Sequence, residues 1–237
     1  MVDEIGHNTL DVIAEAKGFN KWMYDTIHPY LHGRVLEIGS GIGNISENII
    51  KNLPLVTLSD IDEGYRQILL SKFGHHPNVE DIVAIDLQNI NFRKDYQHLH
   101  LKFDSVILLN VLEHIKDQAL AFSIFNYLLK PGGSLIVLVP AYSFLYCNFD
   151  KALSHFRRYT VASLKSVILA NQFQPQKIWY FNFIGIAGWF FFGKLLSQKE
   201  IRKNNMNIYS KLLPVVKTVD RLLCGKAGLS VVSISKK

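Results

Sequence analysis

A chain of 237 residues, 49% hydrophobic and 19% charged, is long enough to bury a substantial core and too apolar for a disordered segment. Its two cysteines, Cys147 and Cys224, form no CxxC or CxxH pattern, which suggests neither a disulfide framework nor a zinc site and fits a reducing cytoplasm. The net charge of +6 is uneven: residues 194–237 hold ten Lys/Arg against Glu200 and Asp220, while the rest of the chain sums to −2.

The N-terminal stretch MVDEIGHNTLDVIAEAKG is acidic and lacks an apolar h-region, so no signal peptide is expected. Residues 8–31 read as one or two helices. Strand-like apolar runs then follow at 35–38, 55–58, 79–85, 103–109 and 134–139, with helical patterns between them at 45–51, 63–73 and 117–129. This alternation predicts an α/β fold with a doubly wound, mostly parallel sheet, whose ligands sit beyond the carboxyl ends of the strands. After Pro140 come a helix at 161–170, a strand at 176–182, an amphipathic helix around 208–223 and a last strand at 229–234. The uncharged run 178–193 is 16 residues long and holds three glycines, too short for the roughly 20 apolar residues of a spanning helix. It reads as a buried or interfacial segment.

The strongest chemical signal is Val35-Leu36-Glu37-Ile38-Gly39-Ser40-Gly41-Ile42-Gly43-Asn44, a strand entering a glycine loop. Glycines allow a tight turn and close approach to a ligand. The dinucleotide spacing GxGxxG would need a small residue where Asn44 stands. Glu37 repels a pyrophosphate and suits the ammonium of an amino-acid ligand. About 20 residues further on, Asp60 is placed to accept hydrogen bonds from ribose hydroxyls. Asp62 reads instead as the N-cap of the helix starting at Glu63. Asp86 ends the third strand, where it can accept from an exocyclic amine such as that of adenine.

In order, the ExGxGxG loop, the acid after strand two, Asp86-Leu87, the segment FDSVILLNVLEHI and the turn Leu129-Lys130-Pro131-Gly132-Gly133 closely resemble the class I methyltransferases. The resemblance implies a seven-stranded Rossmann-like methyltransferase fold with S-adenosyl-L-methionine as cofactor. It puts Glu37, Gly39 and Gly41 at the methionine part, Asp60 and Ile61 at the ribose, Asp86 and Leu87 at the adenine, and Asn110 in the methyl-donor pocket. The chain is then a single domain: an N-terminal helical cap over 1–32, a donor-binding core over 33–140, and an acceptor side over 141–237 with a helical insertion at about 183–226.

Three further segments, Phe19-Asn20-Lys21-Trp22, Ser154-His155-Phe156-Arg157-Arg158-Tyr159-Thr160 and Gly188-Trp189-Phe190-Phe191-Phe192-Gly193-Lys194, resemble a bacterial methyltransferase subgroup associated with cell-surface and lipid pathways. That likeness implies that Trp22 folds over the donor. The expected acceptor is a hydrophobic or lipid-linked small molecule offering an oxygen or nitrogen nucleophile. His155 and His114 are candidate general bases, because imidazole titrates near neutral pH. Arg157 and Arg158 can grip a carboxylate or phosphate, and Tyr159 and Trp189 join them on the acceptor side. No metal cluster with ligand spacing is evident, so no metal is expected. No nucleic-acid module is recognisable, and no oligomeric state is assigned. The basic tail beside an aromatic segment suits peripheral contact with an anionic membrane face. Two other readings stand beside this one: a catalytically silent donor-binding partner protein and a dinucleotide oxidoreductase, the latter opposed by Asn44 and Glu37.

Overall fold

The computed structural model describes residues 4–237; the first three residues of the expected N-terminal helical cap lie outside the described residues. Helices α1 (Glu4–Glu15) and α2 (Lys17–Ile27) lead into β1 (Val35–Ile38), α3 (Ser46–Asn52), β2 (Val56–Ser59), α4 (Glu63–Phe73) and β3 (Val79–Val83). Next come α5 (Phe92–Asp95), β4 (Phe103–Leu109), α6 (Gln118–Leu128), β5 (Leu129–Pro140), α7 (Asn148–Ala152), α8 (Val161–Ala170) and β6 (Gln174–Phe181). The chain closes with α9 (Phe183–Gly188), a π-helical turn (Trp189–Leu195), α10 (Lys203–Leu223) and β7 (Ser230–Lys236).

The seven strands form one sheet in the order β3-β2-β1-β4-β5-β7-β6, parallel except for β7, which runs antiparallel to both neighbours. The expected fold class holds, including the N-terminal helices and the helical insertion before the last strand. Burial on both faces explains why β1 and β4 are mostly apolar, with the polar Glu37 and Ser105 buried among them. Successive side chains point to opposite faces. Leu36, Ile38, Val106 and Leu108 therefore pack under Phe122 and Phe125 of α6 and Leu164 and Ile168 of α8. Val35, Ile107 and Ile136 meet Met23 and Ile27 of α2, Ile49 of α3 and Leu69 of α4 on the other face.

The strand order reverses between β1 and β4, where Ile38 lies opposite Leu108. The loops leaving these two strands therefore emerge side by side, at the position where such sheets bind ligands. Non-glycine residues with positive φ terminate three strands at this same edge: Asn110 (55°) after β4, Asn182 (67°) after β6, and Tyr142 (61°) shortly after β5. Left-handed backbone at such residues costs energy and concentrates where function demands a turn.

Several boundaries differ from the sequence reading. Strand β5 starts at Leu129, which pairs with Phe103; the chain then bulges at Pro131–Gly133 and pairing resumes at Ser134 opposite Ser105. The proline–glycine turn is thus a bulge within the strand, with Gly132 at φ +74°. Helix α10 begins at Lys203, five residues before the amphipathic pattern becomes readable. The insertion is fastened to the sheet by Asp220, which accepts from the Asn182 and Phe183 N–H groups at 2.8 and 2.6 Å, and by Tyr209, whose hydroxyl donates to Asn182 Oδ1 at 2.7 Å. The uncharged run splits between β6, α9 and the π-helical turn, and no helix among the described residues is long and apolar enough to cross a membrane. Cys147 is buried and Cys224 exposed, both as free thiols.

Candidate active site

The glycine loop is built at the end of β1. Gly39 has φ +74°, and a Cβ there would come within 2.4 Å of Val111 Cγ2, so the loop can close onto the segment after β4 only with glycine. A Cβ at Gly41 would press on Leu10 of α1, and the Asn44 side chain donates to the Leu10 carbonyl at 2.9 Å. The N-terminal helix therefore lies across the loop, and Asn44, the residue that breaks the dinucleotide spacing, fastens it there.

Asp60 is the organiser of this half. Its Oδ2 accepts from the Gly41 N–H at 2.9 Å and its Oδ1 from the Asp62 N–H at 3.0 Å. Burial pushes its carboxyl above the usual range against these two hydrogen bonds. Asp62 caps α4 as expected, accepting from the Gly64 and Tyr65 N–H groups. Ile61 between them is 60% exposed, an apolar side chain left free beside the loop. Glu37 is buried and accepts from Ser46 Oγ; burial pushes its carboxyl up to about 7, against the hydrogen bonds from Ser46 and Ser40. Asp86 stands half-buried after β3 and accepts from the Gln88 N–H. Asn110 is exposed in its left-handed turn, its N–H held by the Leu138 carbonyl. The structure thus brings Glu37, Gly39, Gly41, Asp60, Ile61, Asp86 and Asn110 to the carboxyl edge of β1 to β4.

Two expected donor contacts are placed otherwise. The side chain of Leu87 is buried in the core with Phe92, leaving only its main chain for a ligand. Trp22 packs on Phe181, with ring centroids 4.2 Å apart, and against Phe19. An indole gains more from that aromatic cluster at the end of β6 than from solvent, and the residue lying against the glycine loop is Leu10.

The acceptor side centres on His155. The ring is buried, and its Nδ1 lies 2.9 Å from Asp150 Oδ1. Burial alone would raise the Asp150 carboxyl, but the hydrogen bond from His155 and the charge of Arg158 hold it below the ordinary range. An ionised carboxylate only accepts, so the Nδ1–H of His155 donates to Asp150. The Nε2 of the same ring is 3.9 Å from Glu113 Oε1, and the His114 ring stands edge-on to His155 at 4.7 Å. The two segments are joined through the main chain, because the Phe156 N–H donates to the Glu113 carbonyl at 2.9 Å. Glu113 is fully buried with no hydrogen-bond partner for either carboxylate oxygen, and burial pushes its carboxyl up to about 8.

Three expected acceptor residues are structural here. Arg158 is buried, donates from Nε to Asp150 at 2.7 Å and from Nη1 to the Ala141 carbonyl at 2.9 Å, and lies over the Trp189 ring at 4.6 Å. It anchors the loop instead of facing an acceptor, because a buried guanidinium needs a carboxylate close by. Trp189 is occupied by that guanidinium and by Phe149. Tyr159 is buried in the core, its hydroxyl shared between Gln118 and the Leu112 carbonyl. Arg157 is half-buried and bonded to the Lys116 carbonyl at 3.1 Å.

Sequence reasoning missed two residues of this site. Glu113 stood beside the chosen His114, but its burial gave no signal in the local pattern. Asp150, five residues before His155, had a readable spacing for a carboxylate–imidazole pair. The expectation of no metal cluster is also revised. One ligand atom each from Glu113, His114 and His155 lie within 4.8 Å of one another, a grouping made by folding and invisible as a spacing.

Comparison with known proteins places the chain in a family. Residues 10–190 match the family model described as a methyltransferase domain. The malonyl-[acyl-carrier protein] O-methyltransferase 1 of Ilyobacter polytropus is 30% identical over 137 residues, covering 55% of this chain and 47% of that protein. The ubiquinone biosynthesis O-methyltransferase of Pseudomonas aeruginosa is 31% identical over 104 residues, 44% of this chain and 43% of its own length. The chain thus spans about half the length of these curated relatives. In architecture it is similar to a SAM-dependent methyltransferase from Archaeoglobus fulgidus, with a TM-score of 0.59, 18% identity, and 92% and 94% of the two chains covered. The chain belongs to the methyltransferase domain family.

Proposed function

We propose that this member of the methyltransferase domain family transfers a methyl group from S-adenosyl-L-methionine to an oxygen or nitrogen nucleophile on a hydrophobic or lipid-linked small molecule. The observation that carries the reading is the alignment of Glu37, Asp60 and Asp86 along one sheet edge, beside the buried Asp150–His155–Glu113 group. Each acid answers one part of the donor: Glu37 the ammonium, Asp60 the ribose hydroxyls, Asp86 the adenine amine. Family membership leaves the dinucleotide oxidoreductase reading without support.

The chemistry is an in-line displacement. The acceptor's lone pair attacks the sulfonium methyl carbon, a new C–O or C–N bond forms, and the C–S pair returns to sulfur as S-adenosylhomocysteine leaves. The donor is already activated, so alignment supplies most of the rate. The acceptor's proton leaves at the cluster around His155, whose ring Asp150 holds in one orientation. His155→Ala should lower release of S-adenosylhomocysteine, assayed with a bacterial lipid extract as acceptor, by about 10²–10⁴-fold while donor affinity stays intact. Equal loss of donor binding would make His155 structural and remove the cluster from the chemistry. Detectable donor binding without turnover in the wild type, across lipid and soluble acceptors, would favour the silent-partner reading.

The hydrophobic acceptor and a membrane location draw on the same surface. Helix α10 turns Leu213 and Val216 inward, while Ile208, Leu212, Val215 and Leu222 form a second, exposed apolar stripe at helical spacing. Phe190, Phe191, Leu195 and Leu196 of the neighbouring turn are exposed too, among the exposed cations Lys194, Lys199, Arg202, Lys203 and Lys211. Apolar residues ringed by cations suit the interface of an anionic bilayer. The protein should float with phosphatidylglycerol vesicles at low salt and stay in solution at high salt. Leu212→Glu should abolish flotation, and flotation unaffected by that change would refute the assignment of the surface.

A further inference from the structure

Glu113 poses a problem that methyl transfer alone does not solve. A fully buried carboxylate with both oxygens unpartnered is costly. The cation nearest in charge, Arg158, is committed through Nε to Asp150. Asp150 and Glu113 are therefore two buried carboxyl groups beside one buried guanidinium, whose Nη2 is itself unbonded, and both oxygens of Glu113 are left without a hydrogen bond.

The surroundings of that carboxylate are those of a ligand set. His155 directs Nε2 toward it, and His114 completes the group of three ligand atoms within 4.8 Å of each other. Behind His155, the Asp150 carboxylate holds Nδ1–H, the outer-shell arrangement that orients metal-binding imidazoles and raises their basicity. Asp150 is in turn held by the Cys147 N–H at 3.0 Å. Two imidazoles and one carboxylate, with further coordination positions open, form a set suited to zinc and related divalent ions. Donor atoms about 2.1 Å from one zinc ion stand about 3.4 Å apart in a tetrahedron, so the three side chains need to close by about an ångström. The group follows directly on Asn110 at the end of β4, where the acceptor is expected.

We propose that Glu113, His114 and His155 hold one divalent transition-metal cation of the zinc class, with its open positions available to the acceptor. The proposal rests on the methyl-transfer reading for its role, not for its ligands. An acceptor hydroxyl coordinated there loses its proton to solvent more readily and attacks the methyl carbon as described above; the metal changes neither oxidation state nor stoichiometry. His155 then serves as a ligand, which accounts for a buried imidazole fixed by Asp150.

The test is calorimetric titration of metal-stripped protein with zinc chloride alone, with zinc K-edge absorption on the loaded wild type and a parallel titration with S-adenosylhomocysteine. The expected result is one zinc per chain with two imidazoles in its coordination shell. Glu113→Gln and His155→Ala should each weaken zinc binding at least about 30-fold, and Asp150→Asn by about 10–100-fold, with S-adenosylhomocysteine affinity preserved. The exposed His75→Gln should change nothing. Binding of S-adenosylhomocysteine without zinc binding, zinc affinity indifferent to Glu113→Gln and His155→Ala, or a zinc shell lacking two imidazoles would overturn the metal site alone. Failure of the wild type to bind S-adenosylhomocysteine would instead overturn the methyl-transfer reading.

Discussion

Replacing Asp60 by alanine removes a side chain that ties the glycine loop to the segment leaving β2. Its two oxygens accept from the Gly41 and Asp62 N–H groups at 2.9 and 3.0 Å, so the change strands two donors in the loop. A hydrogen bond to a charged acceptor is worth about 1.5–3 kcal/mol. Water can reach part of this open edge, so the smaller figure is appropriate for the loop, about 1.5 kcal/mol or roughly tenfold in affinity. Losing the bond to a ribose hydroxyl adds a similar amount, and the expected total is a loss of about 10- to 100-fold in affinity for S-adenosylhomocysteine. Asp60→Asn keeps one acceptor oxygen and should fall between the two. Calorimetry gives the affinities, and circular dichroism with thermal melting confirms that the variants fold. An Asp60→Ala protein that melts normally and binds within twofold of the wild type would refute the assignment of Asp60 to the donor site.

The donor site and the acceptor loop each yield a further test. Glu37 has a folded-state value of about 7, above its ordinary 4.5, so the folded chain without ligand holds the extra proton. That contribution to stability is fully present below 4.5 and is lost as pH rises through 7, by about 3 kcal/mol in all. Binding an ammonium selects the ionised form, so donor affinity should move the other way. It should rise by up to about tenfold per pH unit between 5 and 7 and level off above, while Glu37→Gln should show no such slope. A flat profile in the wild type would place the ammonium elsewhere. Arg158→Ala breaks a buried pair and should destabilise the fold by about 3–5 kcal/mol, read as a melting point lowered by about 6–20 °C. An unchanged melting point would return Arg158 to the acceptor pocket.

The sheet was legible because its parallel strands are covered on both faces, so each appears as a short apolar run followed by a helical pattern. The glycine loop was legible because Gly39 and Gly41 turn at positive φ, a backbone that glycine adopts without strain. Asp62 was legible as a cap because capping is a local hydrogen bond. The acceptor side was less so, because its organisation is not local. Glu113 meets His155, and Arg158 meets Asp150, only after α6 and β5 have brought the end of β4 against the loop beyond β5. An arginine that grips a ligand and one that grips a buried aspartate look alike in sequence. Trp22 packs on Phe181, an aromatic partner more than a hundred residues distant in the chain, which no local pattern reveals. Helix α10 carries two apolar stripes, which blurs its periodicity and hides its first turn.

The central claim is that the sheet edge carrying Glu37, Asp60, Asp86 and Asn110 accepts an adenosyl amino acid in preference to a dinucleotide. Titration of the wild-type protein with S-adenosyl-L-methionine, S-adenosylhomocysteine and NAD tests it most directly. The account predicts dissociation constants on the order of micromolar for the first two, about −8 kcal/mol of binding free energy, and no measurable binding of NAD. Measurable binding of NAD together with none of either adenosyl compound would contradict it.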